Sequence, residues 1–181
     1  MAALLGQMAE AAADIRSHVR LAPFIPHAQE LARDAEDPIS LDLAGWLGTF
    51  YHEAGLYQTA REWNEAASHR QMALLDEEHP DTLFSMNNLA LTLRAQGDIA
   101  GARSLQEKVL KARRRLLGEK HPDTSASAWS LLMTLAELGD TSAALALLKS
   151  DLLWLLERHP NELGGTQRNI RKLLADGLKT G

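Results

Sequence analysis

Three columns of residues recur along this chain at a single interval. Pro38, Pro80 and Pro122 lie 42 residues apart, as do Gly55, Gly97 and Gly139, and Ala60, Ala102 and Ala144. A shared period of that length marks stacked repeats, each leaving an apolar face that only its neighbours can cover. Arrays of this kind present a long groove rather than an enclosed catalytic pocket. The period therefore constrains the fold strongly and the partner weakly.

Within a unit the pattern reads helix, tight turn, helix. In the middle unit Leu83, Met86, Leu89, Ala90 and Leu93 form one apolar stripe at helical spacing. Gln96-Gly97-Asp98 then breaks the helix, with Gly97 free to close it in a left-handed conformation. The second helix carries Ile99, Ala102, Leu105, Val109, Ala112 and Leu116 and stops at Gly118. The alanine column allows close approach of the two antiparallel helices, where a bulkier residue would cost about 1–3 kcal/mol in overpacking. The prolines suit the first helical turn, and Asp81 and Asp123 place negative charge where the helix dipole favours it.

The predicted fold is all-α: antiparallel helix pairs, about three repeats, and terminal helices. Residues 1–36 are expected to form an N-terminal helical pair, a degenerate or capping repeat. Three units follow at 37–78, 79–120 and 121–158, and residues 159–181 form a capping helix. In the first pair an amphipathic helix over 1–20 precedes a break at Leu21–Pro26. A short helix at 27–36 then buries Ala28, Leu31 and Ala35. Near the other end His159-Pro160-Asn161 repeats the unit start only 38 residues after His121. Gly164-Gly165 precedes a helix with Ile170, Leu173, Leu174 and Leu178, expected to cover an apolar helix running from Ala143 to Leu156.

Composition narrows the function. With 45% apolar and 24% charged residues the chain is an ordinary globular one, and its net charge of −5 gives no basic footprint for nucleic acid. No cysteine is present, so disulfides and thiolate metal sites are excluded. No run approaches the roughly 18–20 apolar residues of a membrane helix, and the first residues lack a basic n-region. The expectation is a cytoplasmic protein with neither nucleic-acid nor membrane partners. No G-x-S-x-G, H-E-x-x-H or phosphate loop occurs, so no enzyme, catalytic residue, cofactor or metal is expected. His79, His121 and His159 would sit on neighbouring repeats roughly 10 Å apart. Zinc needs ligands about 2 Å from one ion, so these histidines read as turn residues.

The segment His-Pro-Asp-Thr-Leu-Phe-Ser-Met-Asn-Asn-Leu-Ala over 79–90, Gln-Gly-Asp at 96–98 and Arg-Leu-Leu-Gly-Glu-Lys-His-Pro-Asp-Thr over 115–124 carry a family resemblance. They resemble the long, 42-residue tetratricopeptide repeat of kinesin light chains. They are also similar to repeats that follow a nucleotide-binding STAND (NB-ARC) domain in bacterial signalling proteins. The resemblance is close over 79–124 and looser over 38–158. It implies a right-handed α-solenoid acting as a non-catalytic adaptor or sensor arm, with a peptide or protein segment bound in the concave groove lined by the first helix of each unit. No G-x-x-x-x-G-K-[ST] is present, so the chain has no nucleotide engine of its own.

Helical spacing puts Asp42, Trp46 and Thr49 on the groove face of the first unit. Phe84, Asn88 and Leu91 hold it in the second, and Ser130 and Met133 in the third, while the resemblance implies that Asn87 pairs with Asn88 to hold a bound peptide backbone. Apolar anchors beside asparagines would suit an amphipathic or extended segment. Asp42 and Trp46, Phe84 and Asn88, Ala126 and Ser130 occupy the positions where a carboxylate clamp would need Lys and Arg, so no clamp is expected. Lys108, Lys111, Arg114 and Arg115 form a secondary basic patch that could dock an acidic or phosphorylated segment. Its plainer reading is the solvated end of a long helix. Two alternatives stand beside the groove: a homo-oligomer formed through the apolar C-terminal helices, and a receptor for a small signalling peptide. The amphipathic residues 1–20 could also occupy the groove.

Overall fold

The computed structural model describes residues 21–33 and 38–177, and the regular structure there is entirely helical. The expectations for the helix over 1–20, for Ala35 and for Leu178 lie outside the described residues. The chain divides into two compact units, residues 1–102 and 103–181. In the first, a 3-10 turn at Ala22–Phe24 leads into α1 (Ile25–Arg33), α2 (Pro38–Glu53), α3 (Tyr57–Leu74) and α4 (Pro80–Ala95). Helix α5 (Ile99–Leu117) begins in the first unit and continues in the second. The second unit then holds α6 (Pro122–Glu137), α7 (Thr141–Leu147), a π turn (Leu148–Leu152), 3-10 turns at Leu153–Glu157 and Pro160–Glu162, and α8 (Gly165–Gly177).

The repeat columns act at the helix ends. The Nδ1 atoms of His79, His121 and His159 accept from the backbone N–H of Asp81, Asp123 and Asn161 at 3.3, 3.2 and 3.3 Å. Each histidine thus satisfies a donor that the first turn leaves orphaned. At the other end Gly55, Gly97 and Gly139 adopt φ of 75°, 87° and 71°. Around Gly97, the glycine N–H bonds Arg94 O at 3.0 Å and Asp98 N–H bonds Leu93 O at 2.9 Å. This paired closure recurs at Gly55 and Gly139 and needs a residue without a Cβ penalty.

In the first unit α1 packs on α2, α2 on α3, and α3 on α4. Ile25, Ala28, Ala32, Leu43, Ala44, Trp46, Leu47, Phe50 and Ala67 form the core. The α1 stripe departs from expectation: Leu31 is 53% exposed, while Ile25, Ala28 and Ala32 turn inward. That spacing of three and four keeps one helix face against α2 and leaves Leu31 on its flank, turned toward solvent. Arg70 of α3 donates to the carbonyls of Ala32 and Arg33 at 2.9 and 2.6 Å, closing the C-terminus of α1. Between α2 and α3 the fully buried Asn64 lies over Gly48, where an added Cβ would come within 2.0 Å of its Oδ1. Ala60 is fully buried, as the close-approach role of its column requires.

The second unit buries Leu110, Ala128, Leu131, Leu135, Ala144, Leu147, Leu152, Leu155, Leu163 and Ile170. The continuous apolar helix expected over 143–156 is replaced by a short α7, a π turn and a 3-10 turn. Asp151 accounts for the change. Its carboxylate is only 3% exposed and takes two hydrogen bonds from the Arg114 guanidinium, Nε at 2.7 Å and Nη2 at 2.5 Å. Widening the coil by one residue turns Asp151 inward to this bidentate partner, and Leu152, which ends the π turn, and Leu155, within the 3-10 turn that follows, remain fully buried. Helix α8 packs against α6 and the Leu153–Glu157 turn through Ile170 and Leu174, and leaves Leu173 exposed. No helix among the described residues is long and apolar enough to cross a membrane.

Candidate functional site

In the first unit the expected groove residues of α2 and α4 are brought side by side. Asn88 donates from Nδ2 to Thr49 Oγ1 at 3.1 Å, and Thr49 donates to the Gly45 carbonyl at 3.1 Å. Phe84 is 49% exposed on the same face of α4, with Asn87 and Leu91 half-buried beside it. Among the described residues the Asn88 side chain makes only this bond, which leaves its Oδ1 and second amide hydrogen open. Among the described residues the Asn87 side chain makes no hydrogen bond. The result is an exposed ring and a leucine flanking two side-chain amides, which can take apolar anchors and bond an extended backbone.

Trp46 does not join this face and is corrected: it is 4% exposed and stacks on Phe50 at 5.9 Å within the core. A large ring next to the small Gly45 is drawn inward, because burial of its apolar area outweighs a place on the rim. Asp42 is exposed at the head of the face. Crowding by protein and then the nearby Asp81 charge raise its carboxyl above the usual aspartate range, while His79 acts in the opposite sense.

Behind the asparagines lies a polar hub that the sequence reading missed. Thr92, fully buried, donates to the Asn88 carbonyl at 2.9 Å and accepts from Asn64 Nδ2 at 3.2 Å. His52 Nδ1 lies 3.1 Å from the same hydroxyl. Which of the two donates follows from the imidazole tautomer. Burial lowers the His52 pKa, with the Glu53 charge opposing. The recurrence of threonine at 92 and 134, one repeat period apart, was the available signal.

In the second unit α6 presents Met133, 36% exposed, with Ser130 half-buried on the preceding turn. Trp129 stands at the position of Asn87, one period on, and packs partly against the core. The basic patch needs correction. Lys108 and Lys111 are exposed, but Arg114 is committed to Asp151, and Arg115 also has a partner. The neighbouring Arg113 donates to the Asp123 carbonyl at 3.2 Å and to Ser127 Oγ at 2.8 Å, and burial lowers its pKa. The inward turn of Asp151 thus pairs off the Arg114 charge, although the side chain stays partly exposed.

A family model described as a tetratricopeptide repeat matches residues 82–123. Among solved structures, the fold is similar to nearly identical TPR-like repeats described as those of a kinesin light chain from Podosopora anserina. That likeness has 23% identity and a TM-score of 0.76, and covers 97% of this chain and 88% of that one. A single-residue variant of the same repeats matches at 22% identity, with the same coverage and TM-score. BtubC (BKLC) from P. vanneervenii matches at 17% identity and a TM-score of 0.66, covering 98% of this chain and 88% of that one. No curated protein matches the sequence significantly.

Proposed function

We propose that this chain, a tetratricopeptide-repeat protein with the fold of kinesin light chain-like repeats, is a non-catalytic interaction module that holds a peptide or protein segment on the outward faces of its first helices. The observation that carries the reading is the α2–α4 face: exposed Phe84, half-buried Leu91 and Asn87, and the Asn88 amide held to Thr49 by a direct hydrogen bond. Apolar anchors fix the position of a guest and the amides bond its backbone, the division of labour expected of a peptide-binding surface. Met133 and Ser130 extend the same chemistry on the second unit's own face. An adaptor or sensor arm needs nothing more from the fold.

Self-assembly through the C-terminal helices has less support. Leu147, Leu152 and Leu155, the surface it would use, are buried within the second unit's own core.

The test is a photo-crosslinking group placed at Phe84, with an equivalent probe at the exposed Glu62 of α3 as control. Alongside it, partner capture by the wild type is compared with a Phe84→Glu, Asn87→Asp variant of unchanged helicity. Crosslinks confined to position 84 and a loss of capture of at least tenfold are expected. Equal capture by both proteins would remove the face from consideration.

A further inference from the structure

A second surface of different chemistry lies wholly within the second unit. Lys120, Trp154, Arg158, Glu162, Leu163 and Gln167 enclose an open cavity of about 240 Å³. Its floor is rigid. Gln167, 4% exposed, donates from Nε2 to the Lys120 carbonyl at 2.9 Å and to Ser125 Oγ at 3.2 Å. Its Oε1 accepts from Gly164 N–H at 3.3 Å, so the amide shapes the wall and has little left for a ligand. The buried Leu163 lies beside it. The Trp154 indole N–H is committed to the Asp151 carbonyl at 2.8 Å, which leaves the ring to interact by its face.

The rim is cationic on a chain whose net charge is −5. Lys120 Nζ stands 5.6 Å from the Trp154 ring centroid, and among the described residues no carboxylate pairs with it. Arg158 approaches Glu162 at 3.7 Å, but both are more than half exposed (51% and 58%), so the pair is weak and open to exchange.

The cavity exists because the repeat pattern fails around it. The unit start recurs after 38 residues instead of 42, the π turn ends just before Trp154, and α8 opens only at Gly165 after a three-residue turn at Pro160–Glu162. A helix running on from Pro160 would not leave this opening. Three departures from a regular pattern that border one cavity are the kind of local irregularity that sites introduce.

We propose that this cavity binds a small carboxylate bearing a flat apolar group: an aryl carboxylate, free or as the carboxyl-terminal aromatic residue of a peptide. The volume lies below the roughly 300–1,000 Å³ of drug-sized sites and suits a single ring with its acid. The ring lies on Trp154 and Leu163 while the carboxylate meets Lys120 and displaces Glu162 from Arg158. The site is separate from the α2–α4 face, and each reading can fail alone.

The experiment labels the protein with 5-fluorotryptophan, identifies the Trp154 fluorine resonance by a Trp154→Phe variant, and titrates four probes. These are phenylacetate, phenylacetamide, and the tripeptide Gly-Gly-Phe with a free and with an amidated C-terminus. A saturable Trp154 shift is expected with the acids, at least tenfold weaker with the amides. The Lys120→Gln, Arg158→Gln double variant, both positions being solvent-exposed, should keep its helicity and lose the shift by a similar factor. Tighter binding of Gly-Gly-Phe would identify a peptide terminus as the ligand, and tighter binding of phenylacetate a free acid. The proposal is overturned by an unmoved Trp154 signal, by amides binding as well as acids, or by full affinity in the double variant. Phe84→Glu should leave the titration unchanged.

Discussion

His121-Pro122-Asp123 and His159-Pro160-Asn161 begin alike, and both histidines accept the same backbone hydrogen bond, yet the first opens a 16-residue helix and the second a turn of three residues. Cap chemistry starts a helix, but its continuation depends on what the following residues can bury. After His121, Thr124, Ser125, Ala128 and Leu131 fall inward at helical spacing. After His159 only Leu163 turns inward, in an extended conformation with ψ of 146°, and Gly164 follows. The chain there has been displaced upstream, by the π turn that brings Asp151 to Arg114.

The comparison breaks most sharply if that displacement is undone. Arg114→Met leaves a buried carboxylate without its cation and should cost about 3 kcal/mol in urea denaturation, allowing for the partial exposure of Arg114. Adding Asp151→Leu should recover most of the loss, and failure to recover would assign the irregular turn to some other cause. Gln167→Ala cuts the link between the two starts, and the loss of its buried hydrogen bonds should cost about 1.5 kcal/mol. His121→Ala should cost about 1 kcal/mol and His159→Ala about half of that, since only the first supports a long helix. Equal costs would mean that the cap, not the burial behind it, carries the stability. Gly165→Ala should stabilise by about 0.5 kcal/mol, because a Cβ there meets nothing within 4 Å and φ is not positive.

The smallest effect belongs to His52 of the first unit, a half-buried histidine that bonds a side chain rather than capping a helix. The His52 pKa is depressed in the fold, so its contribution is fully present above the ordinary value of about 6.5 and is lost as the pH falls toward the folded value. Urea midpoints between pH 7.5 and 5.5 should therefore fall less for His52→Gln than for the wild type.

What could be read from the sequence was whatever repeats. The proline, glycine and alanine columns located helix starts, left-handed closures and close approaches, because each acts through its own backbone or its nearest helix. Phe84, Asn88 and Leu91 share a face because spacings of four and three leave little choice, and the 42-residue period brings Thr49 beside them. Trp46 and Leu31 were misplaced because an amphipathic stripe fixes a helix face only to within a residue or so, and tertiary burial decides the margin. Arg114 was misread for a different reason: its partner lies 37 residues away, in a stretch whose helical register breaks. The cavity beside Trp154 could be suspected only from the shortened 38-residue interval, which signals an irregularity but not its chemistry.

Gly48 and Asn64 carry a consequence for how this chain can change. Asn64 occupies the space a side chain at 48 would need, and its Nδ2 serves Thr92. Alanine at 48 is blocked while asparagine stands at 64, whereas a smaller residue at 64 is sterically free but removes a hydrogen bond from the Thr92 hydroxyl. Substitutions at the two sites are therefore ordered. Position 64 must shrink before position 48 can grow, so a library that varies them singly will find 48 invariant, and one that varies them together will find it free.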